Sequence, residues 1–328
     1  MPPVSERDLL LRLGEGPVTG AQLAREAGQT RAAVWKRIEA LRAHGVPIVA
    51  TPGRGYVLAQ PLDLLDDGLV VGGLPADVRA GLAALEVAWS IDSTNSELLR
   101  RPTPAAGTTV LFAERQSQGR GRRGRAWSSP LAANLYVSFA RQFAGGLARL
   151  GGLSLVAGVA TAEALHALGH AAVRLKWPND LVVRDQGARA LRKLGGILVE
   201  GGGQHAGPVR AVVGAGINLR MPASTTRIDQ PWTDLATLDG PPVSRNQLAT
   251  ALVAHMLPAL DLFDREGLAP FLPRQAACDA LAGGPVVVYA PGGAHEGVAC
   301  GIAPDGALRV RIDGREVAFH SGEVSVRA

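Results

Sequence analysis

The sequence predicts an α+β protein of three units: a winged helix-turn-helix over residues 1–62, a mixed-sheet α/β domain over 63–280, and a small β-barrel over 281–328. Capped helices followed by a hairpin indicate the first unit, and loosely alternating strands and helices indicate the second. Short strands joined by Asp-Gly turns indicate the third. A chain of 328 residues also exceeds the usual size of a single core, which favours two or three domains.

Capping signals define three short helices in the N-terminal unit. Ser5 can cap the first, the stretch from Thr19 to Gln22 has the form of a capping box for the second, and Thr30 can cap the third. Apolar residues recur on the third helix at helical spacing and predict its buried face: Val34, Ile38 and Leu41. Strands at 47–50 and 56–58 then flank a glycine-rich turn. This order of elements is typical of a winged helix-turn-helix.

The outward face of the third helix and the tip of the hairpin are basic. In winged helices such side chains reach the phosphates and base edges of DNA. We therefore expect DNA contacts from six residues: Gln22, Arg31, Ala32, Trp35, Lys36 and Arg54. The alternative is a three-helix bundle whose charged face only meets water.

The remaining elements are read from apolar runs and turn residues. In the central unit, strand-like runs occur at 110–113, 135–139, 173–176, 196–199 and 209–214, and helical patterns at 150–168 and 245–266. In the last unit, strands are expected at 286–289, 297–302, 308–312 and 316–319. The patterns predict a mixed sheet with helices packed on it, followed by a barrel of short strands.

Composition excludes several classes of protein. With 47% hydrophobic and 19% charged residues, the chain can bury a large core and is not disordered. Its two cysteines, Cys278 and Cys300, are too few for a disulfide scaffold or a cysteine-based zinc site. The most apolar stretch, 150–162, is too short to span a bilayer, and no signal peptide precedes it. We expect a soluble cytoplasmic protein with no membrane partner.

Lysine and asparagine are rare enough to be informative. The chain has three lysines (Lys36, Lys176 and Lys193) against 31 arginines, and five asparagines (Asn95, Asn134, Asn179, Asn218 and Asn246). A composition that replaces both residue types wherever it can predicts chemical roles for those that remain.

One glycine- and arginine-rich segment, 119–125, is the strongest candidate for ligand binding. Its four arginines stand close together with no acid among them, and the intervening glycines let the backbone approach a ligand. Arginine forks suit a phosphate or an anionic intermediate. The alternatives are a solvated basic loop and an RGG-like nucleic-acid tail, although such tails lie in disordered tracts rather than between strands.

Four further segments carry polar groups beside strands or helix starts: 93–95, 176–180, 193–197 and 214–218. Lys193, just before a strand and beside two glycines, can hold a carboxylate and neutralise charge on an acyl phosphate. Asn179 and Asp180 are placed for a cation, a ribose or a base, or only for a turn. Ser93, Thr94 and Asn95 equally suit an ordinary helix cap.

Together these segments resemble the bacterial biotin–protein ligases, and the resemblance covers essentially the whole chain. The arginine loop, Lys176 to Asp180, Lys193 to Ile197 and Gly214 to Asn218 occur in the family's order. The N-terminal unit is similar to the winged helix of bifunctional members that also repress biotin operons. The resemblance therefore implies a central domain of the biotin/lipoate ligase type, an SH3-like C-terminal barrel, and a biotin–[acetyl-CoA-carboxylase] ligase that doubles as a repressor.

The implied reaction joins biotin to ATP with Mg²⁺ present, giving biotinyl-5′-AMP, and then transfers biotin to a lysine of biotin carboxyl carrier protein. The resemblance implies three catalytic residues: Lys193, Arg122 and Arg120. It implies biotin contacts from Ser93, Thr94, Asn95, Gln116, Gly119, Arg120, Gly121, Arg122, Lys193, Gly196 and Gly214. It implies ATP or adenylate contacts from Arg122, Arg125, Trp127, Lys176, Asn179, Asp180, Asn218, Trp232 and Arg327, with no metal held by the protein alone. Operator DNA and a ligand-promoted homodimer are the other implied partners.

Three other functions stay open at this stage. They are a lipoate–protein ligase, a ligand-sensing regulator without ligase activity, and an active ligase with a vestigial DNA-binding domain. The segment 186–192 also looks longer than the family's usual turn, which bears on the alignment of Lys193.

Overall fold

A computed structural model describes most of the chain: residues 5–144, 146, 150–185, 190–202, 208–222, 228–290, 293–321 and 325–327. The segment 186–189, which forms most of the insertion before Lys193, lies outside the described residues. None of the described helices is both long enough and apolar enough to cross a membrane.

The N-terminal unit folds as the sequence predicts. Its elements are α1 (Glu6–Gly14), α2 (Gly20–Glu26), α3 (Arg31–Ala43), β1 (Ile48–Thr51) and β2 (Gly55–Leu58). The side chains of Ser5, Thr19 and Thr30 each cap the helix that follows, the first two through reciprocal capping boxes. The predicted face of α3 is fully buried, and β1 pairs antiparallel with β2 to form the wing. The winged helix-turn-helix is confirmed.

The central unit contains a seven-stranded mixed sheet. Its strands are β3 (Leu82–Ala88), β4 (Thr108–Ala113), β5 (Leu135–Phe143), β6 (Arg174–Lys176), β7 (Asp180–Arg184), β8 (Leu191–Gly202) and β9 (Val209–Ile217). They lie in the order β3-β4-β5-β9-β8-β7-β6, and only the β3–β4 pair is parallel. The strands β5, β9 and β8 therefore occupy the middle, where the polar and glycine-rich segments of the sequence converge.

Helices cover this sheet. They are α4 (Asp67–Gly72), α5 (Ala76–Ala80), α6 (Thr94–Arg100), α7 (Leu153–Ala167), α8 (Arg245–Glu266) and α9 (Leu272–Cys278). The long helices α7 and α8 pack on each other and contribute to the main core, whereas Leu98 of α6 joins a separate small cluster with Leu111, Ala140 and Val212. Helix α6 packs on β5 and β9, and its N-terminus therefore faces the central strands.

Two strands differ from the sequence prediction. β3 was not predicted, since it is a half-buried edge strand without clean alternation. The segment 176–180 follows strand β6, as expected, and forms the turn to β7, which begins at Asp180 and was not predicted. Its tight antiparallel register, with Lys176 opposite Asp180, brings these two side chains together.

The C-terminal unit is an antiparallel sheet of five strands: β10 (Pro285–Ala290), β11 (Gly293–Ile302), β12 (Leu308–Ile312), β13 (Arg315–Phe319) and β14 (Ser325–Arg327). Their order is β13-β12-β11-β10-β14. Asp313 and Gly314 both have positive φ, 48° and 79°, as the predicted Asp-Gly hairpin turn requires. Buried residues of this sheet join the core of the central unit, so the boundary at 280/281, like that at 62/63, stays a prediction.

The segment that follows the winged helix is held by a buried ion pair. Arg245, only 1% exposed, contacts the Glu114 carboxylate at 2.5 Å and donates to the backbone oxygen of Asp63. The other Glu114 oxygen accepts the backbone N–H of Leu65 at 2.6 Å, and Asn246 holds the backbone of Leu64. This pair fixes the path of the chain between the winged helix and the sheet.

Candidate active site

A buried polar network lies over the middle strands of the sheet, at the N-terminus of α6. The Asn95 side chain, 3% exposed, rests on Gly214 of β9, where a Cβ atom would lie 2.3 Å from its Oδ1. Ser138, opposite Gly214 on β5, donates its hydroxyl to Asn95 Oδ1 at 2.6 Å. Asn95 Nδ2 donates to the Leu198 carbonyl and to Glu200 Oε2 at 2.9 Å. Because Gly214 has no side chain, the Asn95 amide fits against β9, and hydrogen bonds fix both its oxygen and its nitrogen.

The same network continues toward the arginine loop. Gln116 Oε1 accepts the backbone N–H of Thr94 at 2.9 Å, and Gln116 Nε2 donates to Ser129. Ser93 caps α6, and its neighbour Asp92 pairs with Arg100 of the same helix. This ion pair lowers the pKa of Asp92 to about 2, because Arg100 hydrogen-bonds the carboxylate. The predicted residues Ser93, Thr94, Asn95 and Gln116 therefore form one cluster.

The arginine loop folds into a compact turn. The Gly121 N–H donates to the Arg125 carbonyl at 2.7 Å, and the Trp127 N–H donates to the Gly119 carbonyl at 2.8 Å. A Cβ on Gly119 would lie 2.6 Å from the Trp127 carbonyl, so this position requires glycine. The backbone therefore brings the arginines to the edge of the polar cluster.

Arg120 and Arg122 of the loop contact groups elsewhere in the protein. Arg120 forms an ion pair with Glu200 at 3.1 Å, and Arg122 donates to Asn179 Oδ1 at 3.2 Å and to the Ser321 carbonyl of the C-terminal unit. Burial lowers the pKa of Arg122, although a guanidinium keeps its charge. The loop thus contacts β8, the β6–β7 turn and the C-terminal sheet together.

Lys193 lies beside this loop, above an aromatic ring. Its Nζ is 2.7 Å from Asp180 Oδ1 and 5.6 Å from the centroid of the Trp127 ring. The Trp127 indole lies on Gly216, where a Cβ would come within 2.6 Å of the ring. Trp127 Nε1 is buried and has no hydrogen-bond partner among the residues that the structure describes. A cation, an indole face and an unpartnered N–H donor are therefore grouped over the adjacent strands β8 and β9.

A second lysine of the site, Lys176, is the last residue of β6 and lies where the β6–β7 turn begins. Burial lowers the pKa of the Lys176 ammonium, the cations of Lys193 and Arg327 lower it further, and Asp180 opposes them. Asn179 exchanges hydrogen bonds with the Ile197 backbone, at 2.8 and 2.9 Å, which fixes the turn against β8. Positive charge is therefore concentrated where two lysines and Arg122 meet.

The structure also locates the other predicted nucleotide residues. Asn218 is buried and donates to the Thr233 carbonyl, so it holds the segment that carries Trp232 rather than facing open space. Trp232 is half-buried and its backbone pairs with that of Lys193. Arg327 lies over the Tyr289 ring at 5.2 Å, and Arg125 is exposed at the end of the loop turn.

Sequence reasoning missed two polar residues of this site. Ser138 is the one serine in the run 135–139, whose other residues are aliphatic or aromatic, which is a signal that could have singled it out. Glu200 follows an apolar strand and looked like an ordinary strand end. Its position beside Asn95 depends on the pairing of β8 with β9, which no local pattern reveals.

The predicted DNA face is an exposed groove between α3 and the wing. The groove, of about 750 Å³, is lined by Arg31, Ala32 and Trp35 of α3 and by the hairpin turn around Gly53. Trp35 is 53% exposed. Lys36 and Arg54 are exposed as well, whereas Gln22 uses its side-chain oxygen to cap α2. Of the six residues predicted to contact DNA, Gln22 is thus the one whose side chain is engaged in a helix cap.

A winged helix followed in the chain by a glycine-lined polar pocket with an arginine-rich loop defines a class: nucleotide-using ligases with an attached DNA-binding unit. Family models match in the same order, with an HTH domain at 6–57, the Biotin/lipoate A/B protein ligase family at 87–218, and a Biotin protein ligase C terminal domain at 283–327.

Relatives cover nearly the full length of the chain. It is 40% identical to the bifunctional ligase/repressor BirA of Escherichia coli K12 over 94% of this chain and 93% of that protein. It is 32% identical to the biotin–[acetyl-CoA-carboxylase] ligase of Mycobacterium tuberculosis over 81% of this chain and 96% of that protein. A structure of the Aquifex aeolicus biotin protein ligase with biotin and ATP matches 75% of this chain and 99% of that one, with a TM-score of 0.63 and 26% identity. The chain belongs to the biotin–protein ligase family, in its bifunctional ligase/repressor form.

Proposed function

We propose that this protein is a biotin–protein ligase that activates biotin with ATP and transfers it to a lysine of biotin carboxyl carrier protein. The observation that carries this proposal is the meeting of a fixed amide pocket with a cluster of Arg122, Lys176 and Lys193. The pocket suits a neutral polar ring, and the cations suit the carboxylate and phosphates that must meet beside it.

In the first step, the biotin carboxylate attacks the α-phosphorus of ATP, and pyrophosphate leaves. Lys193 stands next to the pocket and would contact the carboxylate and the phosphoryl oxygens. Arg122 would stabilise the negative charge that builds on the phosphorus in the transition state. The unpartnered Trp127 Nε1 offers a further donor to the adenylate. These groups act by electrostatics rather than by proton transfer.

In the second step, the ε-amine of the carrier lysine attacks the carbonyl carbon of biotinyl-5′-AMP, and AMP leaves with the bonding electrons. A mixed anhydride hydrolyses in water, so an ordered arginine loop over it would retain it. The loop's Arg120 and Arg122 would close over the carboxylate and phosphate as the ligand arrives.

The residues present suit Mg²⁺ as part of the ATP complex. Among the described residues, no group of three His, Cys, Asp or Glu side chains is placed to hold a metal alone. Asp180 supplies one carboxylate beside the predicted phosphates, and Mg²⁺ on ATP commonly needs only one or two. The ion, when bound, neutralises phosphate charge.

The test is an assay of the full-length protein with ATP, labelled biotin and an apo carrier domain. Labelled carrier, together with release of AMP and pyrophosphate, is the expected result. Adenylate formation without transfer would indicate a ligand-sensing regulator. Transfer of lipoate in preference to biotin would indicate the lipoate-ligase alternative.

We further propose that the winged helix represses transcription by binding operator DNA. The observation that favours this second function is the exposed groove of Arg31, Trp35 and the wing, which leaves cationic and aromatic side chains free. Footprinting on a biotin-operon promoter, with and without biotin and ATP, tests it. Protection that appears only with both substrates supports a ligand-promoted homodimer, which sedimentation under the same conditions tests directly. An unprotected promoter would indicate a vestigial domain.

A further inference from the structure

The polar network of the site runs from Gln116, three positions before the arginine loop, to Arg120 within the loop. Gln116 accepts the backbone N–H of Thr94, and the Ser138 hydroxyl lies 2.7 Å from Thr94 Oγ1 and donates to Asn95 Oδ1 at 2.6 Å. Asn95 then donates to Glu200, and Glu200 pairs with Arg120 of the loop. Gln116 and Arg120 are four positions apart in the chain, and the Glu200 carboxylate joins the pocket to the loop.

A single oxygen makes this junction. Glu200 Oε2 accepts Asn95 Nδ2 at 2.9 Å and Arg120 Nη2 at 3.1 Å. The Glu200 side chain is 26% exposed and that of Arg120 is 42% exposed, whereas Asn95 is buried. The carboxylate therefore faces the buried amide on one side and the exposed loop on the other.

We propose that Glu200 is a positioning residue that fixes the amide orientation of Asn95 and holds Arg120 at the mouth of the pocket before substrate arrives. This inference rests on the proposed function. With Glu200 in place, the Asn95 amide can point its nitrogen only toward β8 and its oxygen only toward Ser138. The ion pair with Arg120 is partly exposed and weak, so an incoming carboxylate or phosphate can take over the guanidinium.

Two substitutions separate these effects. Glu200→Gln keeps an oxygen that accepts from Asn95 but removes the charge that attracts Arg120. Glu200→Ala removes both and leaves one buried N–H of Asn95 without an acceptor. Glu86→Gln is the matched control, because Glu86 pairs with Arg101 at 2.9 Å on the edge strand β3 and belongs to no part of the site.

Loop closure is measured on the full-length protein without substrate, as the initial rate of trypsin cleavage after the loop arginines, mapped by mass spectrometry. Cleavage of a transiently open loop follows its open population. Both Glu200 variants should be cleaved about two- to fivefold faster than the wild type, which is the range expected for an exposed ion pair. The control should be cleaved at the wild-type rate.

Pocket geometry is measured as the dissociation constant for biotin by calorimetry. Glu200→Gln should bind within about twofold of the wild type, and Glu200→Ala about tenfold more weakly. Wild-type cleavage rates in both variants, or unchanged biotin binding in Glu200→Ala, would overturn the inference. If the wild type itself binds no biotin, the proposed function fails, and the cleavage rates still decide whether Glu200 holds the loop.

Discussion

The substitution Gly214→Ala should distort the proposed biotin pocket by pushing the Asn95 side chain away from the sheet. In Gly214→Ala the new Cβ would lie 2.3 Å from Asn95 Oδ1 and 3.0 Å from its Cγ, so the amide must move by about 1 Å to reach ordinary contact. Gly214 pairs with Ser138 on β5 and with Leu198 on β8, in the middle of the sheet, so the backbone cannot yield easily. The strain falls on the Asn95 side chain.

The size of the effect follows from the hydrogen bonds that Asn95 makes. Its displacement disturbs the bond from Ser138 and those to Leu198 and Glu200. Each buried group left without a partner costs about 1–3 kcal/mol. With partial relaxation, we expect a loss of about 2–4 kcal/mol in the free energy of unfolding and at least a tenfold loss in biotin affinity.

Urea denaturation and calorimetric titration with biotin measure the two effects. Gly202→Ala is the matched control, because Gly202 lies at the end of neighbouring β8 and a Cβ there meets no atom of the described residues within 4 Å. If Gly214→Ala retained the stability and biotin affinity of Gly202→Ala, the steric role given to Asn95 and Gly214 would be refuted.

Three further predictions concern charged residues. Lys193→Ala should reduce enzyme-bound biotinyl-AMP at least tenfold, through loss of a charge-assisted contact, whereas Lys36→Ala on the winged helix should leave the yield unchanged in a filter assay. Since the pKa of Lys176 is lowered below 10.5, ATP affinity should fall as the pH rises through the alkaline range, and Lys176→Arg should abolish that fall. Asp92 has a pKa of about 2 against an ordinary 3.8, so its pair with Arg100 stabilises the fold above pH 3.8 and loses this effect as the pH falls through about 2. Asp92→Asn should lower the Tm at neutral pH, and a difference from the wild type that persisted unchanged into that acid range would contradict this account.

The elements that the sequence predicted well are those fixed by local rules. Helix caps at Ser5, Thr19 and Thr30 and the hairpin at Asp313 need only neighbouring residues, and each appears where expected. The long apolar helix α8 was predicted over 245–266 and is observed with those bounds. Edge strand β3 was missed, because its half-exposed residues lack a clear period.

The candidate site was predictable as a set of segments but not as a set of contacts. The sequence motifs identified Asn95, Gln116 and Lys193 as candidate site residues. The importance of Ser138 and Glu200 comes from the register of β5, β9 and β8, which places residues from distant parts of the chain side by side. Such register is set by pairing across the whole sheet, and the residues next to Ser138 or Glu200 do not determine which distant residues lie opposite them.

The hydrogen bonds of the asparagines explain why this residue type is kept at a few positions of a chain rich in arginine and glycine. Four of the five asparagines use both ends of the amide, donating with nitrogen and accepting with oxygen: Asn95, Asn134, Asn179 and Asn246. A carboxylate accepts only and a small apolar residue does neither, so no residue favoured by the composition can stand in. Both ends of Asn95 are already bonded to protein, so the contribution that we propose for it in biotin binding is to shape the pocket. In the proposed mechanism the charge of the reaction is met by Lys193 and Arg122, whose present partners, Asp180 and Asn179, are adjacent in the chain.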